Sequence, residues 1–131
     1  MNSRQKFFRC GHCGNMVGLI DYTGASLVCC GDEMAELIPN TTEASTEKHL
    51  PAVTVSGDSV NVQVGSVAHP MEADHNISFV YVETKRGGQR KTLNAGEAPS
   101  VKFVMVDDEP AAVYAYCNLH GLWKTEISNS D

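Results

Sequence analysis

Val60-Asn61-Val62-Gln63-Val64 alternates β-branched apolar and polar side chains without a break. Successive residues of a strand point to opposite faces, so the valines line a buried face and the amides a wet one. On either side, Val53–Val55, Ile77–Val82, Val101–Val106, Val113–Cys117 and Leu122–Ile127 are further short runs rich in β-branched and aromatic residues. Ser56-Gly57-Asp58, Arg86-Gly87-Gly88 and Asn94-Ala95-Gly96 supply turn chemistry between several of them. No apolar segment keeps a helical period over about 10 residues. The chain from residue 47 to 131 therefore predicts an all-β unit, an antiparallel, immunoglobulin-like sandwich of roughly six or seven strands.

Upstream of the first strand, Pro51 disfavours helix at Leu50. Residues 38–46 are polar and poor in large apolar side chains, and read as a linker. Residues 1–37 then form a unit of their own. Its apolar runs Val17-Gly18-Leu19-Ile20 and Ser26-Leu27-Val28-Cys29 flank the turn-like Asp21-Tyr22-Thr23-Gly24 and predict a hairpin. A unit this short lies below the roughly 40 residues at which a core suffices alone, so a staple is expected.

The whole chain has 131 residues, 42% of them hydrophobic, with a formal charge of −6 and a pI near 5.3. That apolar content excludes a disordered chain, and the acidity argues against nucleic acid as a partner. No run of about 18 apolar residues marks a membrane span. Met1 to Lys6 is followed by only two apolar residues, Phe7 and Phe8, too few for the core of a secretion signal. Five cysteines, an odd number without such a signal, predict reduced thiols in the cytoplasm rather than a disulfide framework.

Four of those thiols fall early, as Cys10-Gly11-His12-Cys13 and Cys29-Cys30. A Cys-x2-Cys knuckle and a second thiol pair form a tetrahedral S4 set that selects zinc or iron, and the spacing does not choose between them. Adjacent strand residues point apart, so Cys29 and Cys30 reach one ion only if the backbone kinks. Gly31 helps that bend, and a distorted tetrahedron is expected. The competing readings are a vicinal disulfide or free thiols. His12, between two ligands, reads as a surface residue.

The other group is His49, His69, His75, Cys117 and His120. His69 and His75 fall in a loop before the strand that starts at Ile77, and Cys117 to His120 form a tight connection after another strand. Loops converge at one end of a sandwich. Four imidazoles and one thiolate exceed the four ligands of structural zinc and suit iron, with the imidazoles in a plane, the thiolate on one axis and an open position opposite. An axial thiolate pushes electron density toward whatever binds there. Such a ferrous site suits one-electron reduction of a small oxygen species.

Taken together, Cys10-x2-Cys13…Cys29-Cys30, Glu47-Lys48-His49, His69-Pro70-Met71-x3-His75 and Cys117-Asn118-x-His120-Gly121-x-Trp123-Lys124 resemble the desulfoferrodoxins, two-iron superoxide reductases, over nearly the whole chain. The resemblance implies a desulforedoxin-like domain with iron on Cys10, Cys13, Cys29 and Cys30. It implies a second, immunoglobulin-like domain with catalytic iron on His49, His69, His75, His120 and Cys117. It further implies a cytoplasmic homodimer in oxidative-stress detoxification, reducing superoxide to hydrogen peroxide without making oxygen. An electron donor such as rubredoxin is implied with it. On this basis Lys48 is expected to form a positive mouth for the anion and Glu47 to close over the open position of ferric iron. Asn118 and its turn are expected to donate amide hydrogen bonds to the Cys117 sulfur. Two other readings compete. A cupredoxin-like copper carrier would carry a weak axial Met after its last His, and no Met follows His120. A zinc knuckle fused to a binding sandwich would hold no metal at the second cluster.

Overall fold

The computed structural model describes residues 5–127, and the chain divides into two compact units, one ending at Ile38 and the other beginning at Pro39. In the first, β1 (Phe7–Arg9) lies between β2 (Met16–Gly18) and β5 (Ala35–Glu36), antiparallel to both. β3 (Val28–Cys29) and β4 (Asp32–Glu33) make a separate two-stranded hairpin. The runs Val17–Ile20 and Ser26–Cys29, expected to pair with each other, do not. The loop after β1 closes tightly, Cys10 N–H donating to Asn15 O at 2.8 Å, and returns β2 onto β1 instead. Cys30 (φ +53°) and Gly31 (φ +82°) then reverse the chain directly after Cys29. Two consecutive positive φ values are the signature of the tight two-residue hairpin turn that matches strand twist. Of the described residues in this unit only Phe7, Phe8 and Cys10 are buried.

The second unit opens with one short helical turn, α1 (Thr46–His49), which stops where Pro51 requires it: Leu50 is already extended, at ψ 121°. Seven strands follow: β6 (Pro51–Ser56), β7 (Ser59–Val64), β8 (Ile77–Thr84), β9 (Gly87–Thr92), β10 (Ser100–Val104), β11 (Pro110–Cys117) and β12 (Gly121–Glu126). They form two antiparallel sheets, β10-β7-β6 and β12-β11-β8-β9. Val60, Val62 and Val64 face the core against Val80, Val82, Phe103, Val113 and Ala115, while Asn61 and Gln63 are exposed. Among the described residues no helix is long and apolar enough to cross a membrane.

Arg86-Gly87-Gly88 does not form the turn expected of it. Thr84 pairs with Gly87, so the reversal is at Lys85-Arg86 and both glycines begin β9. Gly88 is favoured there by closeness, since a Cβ would lie 2.8 Å from the Val82 backbone oxygen and would also displace the Tyr81 ring. β9 has no apolar residue because it is an edge strand. Its long side chains seal the neighbouring edge instead: Gln89 Nε2 donates to Val104 O (3.0 Å) and Lys91 Nζ to Lys102 O (2.8 Å). The stretch 38–46, expected as a linker, is held from Asn40 onward. Asn40 N–H donates to Leu122 O at 3.0 Å, and its side-chain amide bonds both ways to the Lys124 backbone.

α1 is brought against the end of β7 by a close backbone approach at Gly65. A Cβ on Gly65 would stand 2.6 Å from Glu47 O and 2.8 Å from Leu50 O, neither of which can swing aside like a side chain. Gly65→Ala is therefore expected to push α1 off the sheet. The cost should be about 2 kcal/mol in urea unfolding, in the range of overpacked interiors. Metal retention should fall in the group containing His49 and not in the four-cysteine group.

Candidate metal centres

The first centre is made by two chain reversals. The knuckle between β1 and β2 points backbone amides at sulfur: His12 N–H and Cys13 N–H both lie 3.4 Å from Cys10 Sγ, and Asn15 N–H 3.4 Å from Cys13 Sγ. The turn at Cys30-Gly31 brings the other pair, with Cys13 Sγ 3.6 Å from Cys29 Sγ and Cys29 Sγ 4.0 Å from Cys30 Sγ. All four sulfurs lie within 4.8 Å of one another. Tetrahedral bonds of about 2.3 Å place sulfurs a little under about 4 Å apart. The backbone amides draw the Cys10 thiol down to about 6, whereas contact with the Cys13 thiol, first among several such contacts, pushes Cys30 up to about 12. The Cys10 thiolate forms readily, while contacts with neighbouring thiols make Cys29 and Cys30 resist joining it, a resistance that a bound cation removes. His12 lies outside the sulfur set and meets Asp32 at 2.5 Å.

The second centre draws on four segments of the sandwich unit. His49 ends α1. His69 follows β7, its N–H held by Val64 O at 2.7 Å. His75 closes a small bridge with Glu72 just before β8. Cys117 is the last residue of β11, and Gly121, at φ +82°, lets a three-residue loop bearing His120 return directly opposite it. His49, His69 and Cys117 are buried and His75 is half-buried, and their ligating atoms lie within 4.8 Å of one another. His120 stands beside them, its Nδ1 3.1 Å from His49 Nε2 and 3.8 Å from Cys117 Sγ.

Hydrogen bonds on the outer side decide which nitrogens look inward. His49 Nδ1–H donates to Ser45 O and His69 Nδ1–H to Pro70 O, each at 2.7 Å. In the neutral rings this leaves bare lone pairs on His49 Nε2 and His69 Nε2, which nevertheless face each other at 3.2 Å. Protonation does not relieve the contact, because burial lowers both rings and holds His69 down to about 4. His75 Nε2 is buried with no hydrogen-bond partner. Buried lone pairs converging without hydrogens fit a metal ion, and imidazole with thiolate suits iron.

The rings are arranged as a square. Around the cycle His49, His69, His75, His120 the centroids are 4.6, 4.7, 5.3 and 4.9 Å apart, with neighbouring planes 74° to 90° from one another. Across the cycle, His49 and His75 are 6.5 Å apart and only 33° from parallel. A tetrahedral set would show no such longer diagonal. The nitrogen separations of 3.1 and 3.2 Å match neighbours on right-angled bonds of about 2.1 Å.

Glu47 and Lys48 are exposed on α1, immediately before buried His49. Asn118 does not serve the Cys117 sulfur as expected. Its N–H donates to Asn76 O (3.2 Å), its Oδ1 accepts from Asn76 N–H (2.9 Å) and its Nδ2–H2 donates to Asp74 O (3.0 Å). Asn118 thus ties the His120 loop to the His75 loop. Two contributors had no signal in the sequence beyond their types. Gly65 admits α1, and Trp123 stacks on His49 with centroids 5.1 Å apart.

Comparison with known proteins agrees with this geometry. Residues 41–126 match the family model described as Desulfoferrodoxin, and residues 2–37 match the one described as Desulfoferrodoxin, N-terminal domain. The chain is 38% identical to the desulfoferrodoxin of Nitratidesulfovibrio vulgaris over 96% of its own length and 99% of the relative's. It is 39% identical to that of Syntrophotalea carbinolica over the same shares. Among solved structures, the superoxide reductase of Treponema pallidum superposes with a TM-score of 0.79 at 37% identity, over 95% of this chain and all of that one. The one-iron superoxide reductase of Giardia intestinalis gives 0.55 at 28% identity, over 63% of this chain and 99% of that one.

The lowered histidines carry a pH signature. In the unfolded chain His49 and His69 take up protons at the ordinary value of 6.5; in the fold burial lowers both, His69 to about 4. Their contribution to stability is complete above that value and is lost progressively as pH falls toward about 4. Urea midpoints of metal-free protein should drop over that window, and His69→Phe should flatten the drop.

Proposed function

The chain belongs to the desulfoferrodoxin family, and on that premise we propose that it is a superoxide reductase carrying two irons. One iron is held by Cys10, Cys13, Cys29 and Cys30, and the other by His49, His69, His75, His120 and Cys117. The observation that carries the reading is the square of four imidazole rings beside a buried thiol, with the hydrogen-free nitrogens of His49 and His69 facing each other inside it. It supplies more donors than a closed zinc site uses. Ferrous iron bound there supplies one electron, so that superoxide, with that electron and two protons, becomes hydrogen peroxide and no oxygen is formed.

The chain's own groups do the rest. A protein of charge −6 does not attract an anion at long range, so attraction must be local. Lys48 is the cation adjoining ligand His49, and its exposed ammonium draws superoxide to the open side of the centre. Glu47 places its carboxylate over that side in the oxidised state, which favours departure of product and shields the centre until it is reduced again. Burial of Cys117 and His49 keeps bulk water from the donor atoms. Protons reach the departing product from solvent.

The four-sulfur site has no spare position and so stores or relays electrons. An external one-electron donor of the rubredoxin type closes the cycle. A cytoplasmic setting agrees with five free thiols. A homodimer is supported by the large apolar side chains exposed in the first unit, Ile20, Tyr22, Val28 and Ile38, which a second copy would cover. Sedimentation velocity should give twice 14.2 kDa; a monomer would remove this assignment.

Pulse radiolysis of reduced, iron-loaded protein should consume superoxide with one peroxide formed for each and no oxygen. Release of oxygen would make the protein a dismutase and overturn the reading. Lys48→Ala should slow the bimolecular step about ten-fold and weaken its salt dependence. Glu47→Ala should leave that step unchanged and alter only the spectrum of the oxidised state.

A further inference from the structure

The square of imidazoles needs more than four inward nitrogens: each ring plane must also be held. His49 is held in its plane by Ser45 O, but that one bond leaves the ring free to pivot about it. Trp123, 4% exposed, removes the freedom by lying face to face with His49, 5.1 Å between centroids and 30° from parallel. His120 has a different need. It is carried in the middle of a loop, between Cys117 and Gly121, and its direction depends on how that loop is folded. Here the same indole acts again, Trp123 Nε1–H donating to His120 O at 3.1 Å. His49 and His120 are the two rings that stand at 90°, with nitrogens 3.1 Å apart.

We propose that Trp123 is a positioning residue of the second centre, fixing two neighbouring ligands at once, the His49 ring through its face and the His120 backbone through its N–H. The proposal rests on the reading of this cluster as an iron site. Trp123 is anchored independently of both ligands, buried on β12 and paired across the sheet with Ala115, a residue of the sandwich core. It therefore transmits the rigidity of the sheet to a helical turn and a loop that lie far apart in sequence. Outer groups that orient metal ligands commonly alter affinity ten- to a hundred-fold when removed, without touching the metal.

The chain has a single tryptophan, which makes the two contributions separable. Replacing tryptophan biosynthetically with its benzothiophene analogue deletes only the N–H and keeps the stacked face. Trp123→Phe keeps a smaller face without the N–H, and Trp123→Leu removes both. Metal-free proteins are titrated with Co2+, following each centre by its own absorption, and the oxidised iron forms are compared by EPR.

The expected result is affinity at the second centre reduced about ten-fold for the analogue and for Trp123→Phe, and about a hundred-fold for Trp123→Leu. The four-cysteine centre should be unchanged, and the EPR line shape of the second centre altered. The analogue, which keeps the shape of the ring, guards against simple misfolding. Wild-type affinity and an unaltered line shape in the analogue and in Trp123→Leu would overturn the proposal. So would equal losses at both centres, which would mean general destabilisation. Failure of the unsubstituted chain to bind metal at the second centre would overturn the iron reading along with it.

Discussion

Two acceptor nitrogens, His49 Nε2 and His69 Nε2, face each other across 3.2 Å with no hydrogen between them. This contact is unfavourable by itself, and the sandwich unit is arranged to make it unavoidable. Carbonyls of Ser45 and Pro70 claim the only protons the rings carry, and burial keeps further protons away. The fold therefore stores affinity for a cation in the form of unsatisfied lone pairs. His75 Nε2, buried without a partner, belongs to the same design.

Holding such a group together requires stiffness, and the sequence separation of its members shows where the stiffness comes from. β7 and β11 run through the core, and each ends at the site, the first at Val64, whose carbonyl accepts from His69 N–H, and the second at Cys117. The connections carrying the remaining ligands are short or laced: Glu72 with His75 across a bridge, Asn118 with Asp74 and Asn76, Gly65 beneath α1. Each ligand is thus within a residue or two of a regular element or a closed turn. A site on loops acquires the precision of one built on strands.

The first unit solves the opposite problem. With Phe7, Phe8 and Cys10 as its buried residues it has little core, and its strands are two or three residues long. A metal held by both of its chain reversals supplies the cross-link that its apolar contacts do not. The amides aimed at Cys10 show the backbone prepared for thiolate charge before any ion arrives.

Chemistry and fold class were legible in the sequence because they depend on residue type and local period. The donor sets are read from Cys and His themselves, and the buried face of β7 from Val60, Val62 and Val64, since alternation is a property of any strand. The kink at Cys29-Cys30 was also legible, because neighbouring side chains cannot both point one way without it. What depends on partners was not. The apolar runs around Asp21–Gly24 looked like a hairpin, but pairing is decided by which strand a turn delivers, and the knuckle delivered β2 to β1. β9 left no apolar trace because an edge strand with polar flanks has no face to bury. The tautomers of His49 and His69, the right angle between His49 and His120, and the place of Trp123 behind both were settled only in three dimensions. A ring's orientation is fixed by groups it meets across the fold, and no spacing along the chain records which groups those are.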